Sequence, residues 1–239
     1  MKLNDSNKKK IGFSHGVLHR LIEVYSREAF DIYKSYSKDV LEFCLIKNQE
    51  IHKTKNIIPL ADDIAIKSIH APADIIYRND ADTTRLLDEL ASYYKELNAE
   101  LIVVHPDRVE DWTVFDVHPL NWAIENMDNL KPAYKSVEDL EAFFETRPEW
   151  KLVLDLNHCF SNDKTMKLAE DFIARLGHRL AEAHLSGYAG YHEPLFQTKQ
   201  DIILEYCKKL EVPIVIESAF NDINDIGKEF DYIRKYLGA

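Results

Sequence analysis

Seven residues able to bind a metal or move a proton stand at or just past the ends of apolar runs: His70, His105, Glu125, Asp155, His158, His184 and Glu217. The sharpest case is Lys151-Leu152-Val153-Leu154-Asp155-Leu156-Asn157-His158, where an apolar run ends in a carboxylate and an imidazole three residues apart. A carboxylate taken out of water costs several kcal/mol unless a metal, a cation or hydrogen bonds offset it. Singly, each residue has an ordinary explanation: His70 as a hydrogen-bonded loop residue, Glu125 or Glu217 as an ion-paired interior residue, Asp155 as the cap of a following turn. Jointly they would need seven separate compensations, whereas one divalent-metal cluster serves them all. Imidazole and carboxylate donors suit zinc, manganese or a similar ion.

Other residues carry weaker signals. His15 lines a pocket or binds substrate, or is structural. Trp112 and Phe115, in the aromatic and acidic segment from Asp107 to Val117, have core packing as their default role, with covering the pocket or binding a substrate ring as the functional reading. Cys159 reads as packing rather than as a nucleophile. His19, His52, His118 and His178 read as surface or helix residues. Tyr77, Arg78, Lys131 and Lys199 can meet a phosphate, but their spacing selects none of them.

The elements that must position the cluster alternate in type. Strands are predicted at Ile11–Gly16, Val40–Ile46, Ile66–Pro72, Leu101–Pro106, Asn121–Asn126, Lys151–His158, Leu180–Gly187 and Pro213–Ser218. Helical spacing follows over Val17–Tyr36, Asp82–Leu97, Ser136–Thr146, Lys164–Leu176, Lys199–Leu210 and Ile223–Leu237. Asp82 or Thr83 is a candidate cap, and Ser136 with Asp139 forms a variant of the capping box. Eight strand-then-helix units in 239 residues read as a single (β/α)8 barrel domain over residues 1–239, with its active site at the C-terminal ends of the strands.

A net charge of -11 disfavours a general nucleic-acid or membrane-surface binder. The three cysteines form no CxxC pair and suit a reducing compartment. With no apolar stretch after the Lys-rich Met1–Lys10, the expectation is a cytoplasmic protein with no membrane segment.

The ordered series Ser68-Ile69-His70-Ala71-Pro72, Val103-Val104-His105-Pro106, Ala123-Ile124-Glu125-Asn126, Leu154-Asp155-Leu156-Asn157-His158, Ala183-His184-Leu185-Ser186, His192-Glu193-Pro194-Leu195 and Val215-Ile216-Glu217-Ser218 resembles the xylose isomerase-like barrel superfamily over nearly the whole chain. That superfamily includes metal-dependent sugar isomerases and epimerases and endonuclease IV. The epimerase-like resemblance implies one metal held by Glu125, Asp155, His184 and Glu217, with Glu125 and Glu217 also trading the substrate proton. An arginine common in that branch has no counterpart between Ser186 and Gln197.

The endonuclease IV-like resemblance implies three zinc ions. His70, His105 and Glu125 would hold one; Glu125, Asp155, His184 and Glu217 a second; His158 and His192 the third. Gly190 stands where that third site needs an aspartate.

The first expectation is therefore a divalent-metal-dependent isomerase or epimerase of a small sugar or sugar phosphate, using one to three ions of Mn, Zn, Mg or Co. The alternatives are an endonuclease IV-type phosphodiesterase acting on abasic DNA and a barrel that binds metal or sugar without catalysis. A homo-oligomer is left open.

Overall fold

Eight short strands, each with a residue period of two, decide which side chains lie inside this molecule. The computed structural model describes residues 9–45, 47 and 51–238. Ile46, the end of the second predicted strand, and residues 1–8 lie outside the described residues. The strands are β1 (Ile11–Ser14), β2 (Val40–Cys44), β3 (Ile66–His70), β4 (Leu101–Val104), β5 (Trp122–Glu125), β6 (Lys151–Asp155), β7 (Leu180–Leu185) and β8 (Ile214–Ile216). All neighbours pair in parallel and β8 returns to β1, so the sheet is a closed barrel in chain order. The expected (β/α)8 architecture is present.

Around it run α1 (Arg27–Tyr36), α2 (Ile51–Thr54), α3 (Ala81–Leu97), α4 (Val137–Thr146), α5 (Leu156–Asn162), α6 (Lys167–Leu176), α7 (Leu195–Thr198), α8 (Asp201–Cys207) and α9 (Asp225–Leu237). Among the described residues, no helix is long and apolar enough to cross a membrane.

Successive side chains on a strand take opposite faces, which divides the core in two. Ile69, Ile102, Ile124, Leu154 and Ile216 belong to the large apolar layer between sheet and helices. Leu101, Val103, Ala123 and Val153 form a small separate cluster inside the barrel. Two residues further along those inner faces the side chains become His105, Glu125 and Asp155. The barrel interior is thus apolar toward its N-terminal end and polar toward its C-terminal end.

Several boundaries differ from the sequence reading, each for a local reason. The helix predicted over Val17–Tyr36 is a 3-10 turn (His15–Leu18) followed by α1, which starts late because the Ser26 side chain accepts the Ala29 N–H and caps it there. Asp80, rather than Asp82 or Thr83, caps α3 by accepting the Thr83 N–H at 2.8 Å. The strand predicted to reach His158 stops at Asp155, whose Oδ1 accepts the His158 N–H at 2.9 Å and opens α5. The capping box at Ser136 and Asp139 is present.

Gly12 permits the closest approach in the barrel wall: a Cβ there would lie 1.7 Å from the Val40 carbonyl oxygen. Backbone, not a movable side chain, is the obstacle. Gly12→Ala is therefore expected to lower stability by about 1–3 kcal/mol, the range for overpacking, read by urea unfolding. An unchanged midpoint would show that β1 and β2 are not in this contact.

Candidate metal centre

The ends of β3 to β8 and the segments that follow them bring polar side chains to a common point, which Glu125 occupies. This carboxylate is almost wholly buried and lies within ion-pair distance of four imidazoles. Its Oε2 is 3.1 Å from His105 Nε2 and 3.4 Å from His70 Nε2. Its Oε1 is 3.3 Å from His184 Nδ1 and 3.4 Å from His158 Nδ1. His184 Nδ1 is also 3.4 Å from Glu217 Oε2, and His158 Nε2 is 3.4 Å from Asp155 Oδ2.

Three candidate ligand sets emerge among the described residues: two share Glu125, namely His70, His105 and Glu125, and Glu125, Asp155, His184 and Glu217; the third is Glu42, Glu182 and His184. Within each set the donor atoms lie within 4.8 Å of one another.

Buried polar atoms without partners show that the cluster fits a cation. Glu125 Oε2 and Asp155 Oδ2 make no aligned hydrogen bond among the described residues despite their burial, a state that costs about 1–3 kcal/mol per group. Asp155 divides its duties: Oδ1 caps α5 while Oδ2 is left for the centre. The histidines are oriented from behind, as metal ligands usually are. His70 Nδ1 lies 3.0 Å from the Ala71 carbonyl and His158 Nδ1 2.7 Å from that of Asn126, so donation there leaves each Nε2 as the ligand nitrogen. Asn126 also brackets Asp155, accepting its N–H at 2.7 Å and donating to its carbonyl at 3.0 Å. Sequence reasoning passed over Asn126.

His158 and His192 both reach the pocket but form no ligand set of their own among the described residues. Their ring centroids are 5.7 Å apart, and among the described residues no third side chain completes a set with them. Gly190, at φ 128°, contributes none. Ser186 Oγ lies 3.0 Å from His192 Nδ1, and the Ala219 N–H binds the His192 carbonyl at 2.7 Å, which holds that ring beside Glu217. Glu229 of α9 fixes the same region by accepting the N–H groups of Leu195 and Phe196 and the hydroxyl of Ser218.

His15 corrects an expectation. It is fully buried against Tyr25, Phe30 and Phe43, and its Nδ1 accepts the Cys44 N–H at 2.8 Å, so it braces β2 rather than lining the pocket. Trp112 corrects another: it packs outside the barrel wall, 4.6 Å from the Phe143 ring and 5.4 Å from that of Trp150. Phe115 joins the same aromatic cluster. Cys159 is a packing residue, as expected, its thiol pushed well up by burial.

The phosphate candidates are all engaged elsewhere. Tyr77 donates to the Pro72 carbonyl, Arg78 pairs with Asp80, Lys131 pairs with Asp107 and Lys199 lies over the Tyr232 ring.

The cluster floors a pocket of about 290 Å3, walled by Val17, Leu45, Ala73 and Ala219 and edged by His19 and Tyr191. Two fully buried carboxylates beneath it, Glu42 and Glu182, were missed from sequence. The signal was there: Glu42 interrupts Val40-Leu41-Glu42-Phe43, two residues before a pocket-lining Cys44 and so on the same face.

Electrostatics express the crowding. Burial opposes ionisation of Glu125, yet His184, His105 and His70 hold it well below the usual carboxylate range. Burial drives Glu217 up to about 8 and Asp155 to about 6. Against burial, the glutamates raise His70 to about 9 and His184 well above its ordinary value. Burial and the neighbouring His158 lower His192 to about 3.

The ligand geometry suits a metal centre at the C-terminal mouth of this (β/α)8 barrel. Among solved structures, endonuclease IV from Thermus thermophilus shares the fold at a TM-score of 0.72, with 14% identity over 96% of this chain and 99% of that one. A D-allulose 3-epimerase from Methylomonas sp. in complex with D-allulose gives 0.66, 17%, 96% and 97%. A 3-keto-D-glucoside 4-epimerase from E. coli gives 0.66, 12%, 95% and 100%. No family model matches the chain, and comparison with curated proteins finds no match.

Metal ligands must be deprotonated, so loading this cluster expels the protons held by His70, His184 and Glu217. Apparent affinity for a divalent ion is expected to fall steadily from about pH 8 to about pH 6, with proton release visible in the buffer dependence of titration heats. A pH-independent affinity would contradict this assignment of ligands.

Proposed function

We propose that the chain is a divalent-metal-dependent isomerase or epimerase of a small sugar. The observation that carries the reading is the convergence of Glu125, Asp155, His184 and Glu217 at the floor of a small pocket, with two glutamates on either side of one imidazole nitrogen. Among the described residues, no lysine or arginine lines that pocket. A neutral sugar suits such walls better than a sugar phosphate does. Structural likeness to the two epimerases agrees with the proposal.

Glu125, Asp155, His184 and Glu217 would hold the ion, whose chemistry is to polarise adjacent substrate oxygens. Glu217, the most exposed member of the quartet, takes a proton from the carbon next to the substrate carbonyl, and the electron pair delocalises onto the carbonyl oxygen. Glu125 is itself ionised and passes to carbon, on the opposite face for an epimerase, a proton supplied by the protonated His70 that lies 3.4 Å behind it. Solvent takes the proton from Glu217 and reprotonates His70. The aliphatic walls from Val17, Leu45 and Ala219 keep water from the exposed carbon.

A phosphodiesterase is the second reading, favoured by one observation. His70 and His105 add a second ligand set on the shared carboxylate, as two-metal hydrolysis uses. The charge of -11 and a pocket lining without lysine or arginine among the described residues weigh against DNA.

The two readings separate in one assay. Metal-loaded protein incubated with a ketose panel in D2O is expected to wash deuterium into the sugar, and Glu217→Gln to slow this by about 10^2-fold or more, the usual contribution of a general base. Cleavage of abasic DNA or of a simple phosphodiester, without any exchange, would replace the isomerase reading by the hydrolase. Metal binding with neither reaction would leave a non-catalytic barrel.

A further inference from the structure

The two nitrogens of His184 face different carboxylates. Nδ1 looks toward the pocket, 3.3 Å from Glu125 Oε1 and 3.4 Å from Glu217 Oε2. Nε2 looks down the barrel axis, 3.1 Å from Glu42 Oε2 and 3.5 Å from Glu182 Oε1. His184 also forms a ligand set with Glu42 and Glu182, but ions on both nitrogens would require a fully deprotonated, bridging imidazolate, and neither Glu42 nor Glu182 lines the pocket. Nδ1 belongs to the four-ligand set, so Nε2 is the nitrogen left to carry the proton.

The carboxylates below are not equivalent. Glu182 is the more distant and already accepts the Ser68 hydroxyl at 3.0 Å. Glu42 is fully buried, and among the described residues neither of its oxygens makes an aligned hydrogen bond; the same holds for His184 Nε2, which meets Glu42 at ion-pair distance. A bare carboxylate at that depth costs several kcal/mol. Each group meets the other's need.

We propose that Glu42 is a positioning residue for the metal centre: it accepts the Nε2–H of His184, fixes the tautomer that presents the Nδ1 lone pair, and sets the plane of the ring. The acceptor also makes the imidazole a stronger donor. Glu42 touches neither substrate nor ion, and Glu182 with Ser68 packs beside it as the wall that keeps water out. This inference rests on the metal-centre reading and not on the identity of the substrate.

Titration of the metal-free protein with Co2+, followed by the visible absorption of the bound ion, tests it. Glu42→Gln keeps the shape and removes the charge, and is expected to weaken binding by about 10- to 100-fold, the usual cost of losing such a partner. Circular dichroism and thermal unfolding of the same samples report whether the fold is kept. Glu182→Gln is expected to bind nearly as the wild type does, and an equal loss in both variants would overturn the assignment to Glu42.

Should Glu42→Gln fail to fold, the 15N spectrum of the histidine side chains in the zinc-loaded wild type still decides. A proton on His184 Nε2 with the ion on Nδ1 supports the proposal, and the reverse arrangement overturns it. Wild-type protein that binds no cation removes both this inference and the metal-centre reading. Wild-type binding that is undiminished in Glu42→Gln removes this inference alone.

Discussion

A single buried carboxylate organises the C-terminal end of this barrel. Glu125 has four imidazoles within 3.4 Å, drawn from β3, β7 and the segments that follow β4 and β6. Such a charge is tolerable inside a protein only when others compensate it, and the others are themselves buried ionisable groups. The result is a set of donors gathered 3.1–3.4 Å from one carboxylate, with Glu125 Oε2 and Asp155 Oδ2 left without an aligned hydrogen bond among the described residues. A divalent ion would resolve that crowding by replacing protons. The barrel contributes a rigid frame that keeps the donors together before the ion arrives.

The same frame explains why the site is layered. Because inward side chains recur every second residue, the residue two positions before each site residue lies beneath it: apolar Val103, Ala123 and Val153 precede His105, Glu125 and Asp155, whereas polar Ser68 and Glu182 precede His70 and His184, with Glu42 in register with Ser68. The polar part of that lower level is buried. Its place is to hold the upper level from below. Connections outside the barrel act from above: the α5 cap divides the two oxygens of Asp155, and Glu229 ties the backbone after β8 to the start of α7.

What the sequence made legible follows from the same geometry. Residues at strand ends stand out because polarity begins where an apolar run stops, so His70, His105, Glu125, Asp155, His184 and Glu217 are all visible in the order of the amino acids alone. Glu42 and Glu182 were hidden because each strand was read as one continuous apolar run, in which a mid-strand carboxylate looks incidental. His15 obeys the strand-end pattern yet is structural, since the Cys44 N–H takes its Nδ1. Trp112 misled for another reason. Its aromatic partners, Phe143 and Trp150, are distant in sequence, and only the outward face of β5, with Trp122, shows where they gather.

The central claim is that the Glu125 cluster exists to hold a cation, and anomalous X-ray scattering from crystals grown with zinc tests it most directly. An ion is expected at about 2.0–2.2 Å from carboxylate oxygens of Glu125, Asp155 and Glu217 and from His184 Nδ1. Well-ordered, zinc-soaked protein in which these side chains keep their direct contacts, with no anomalous peak between them, would contradict it.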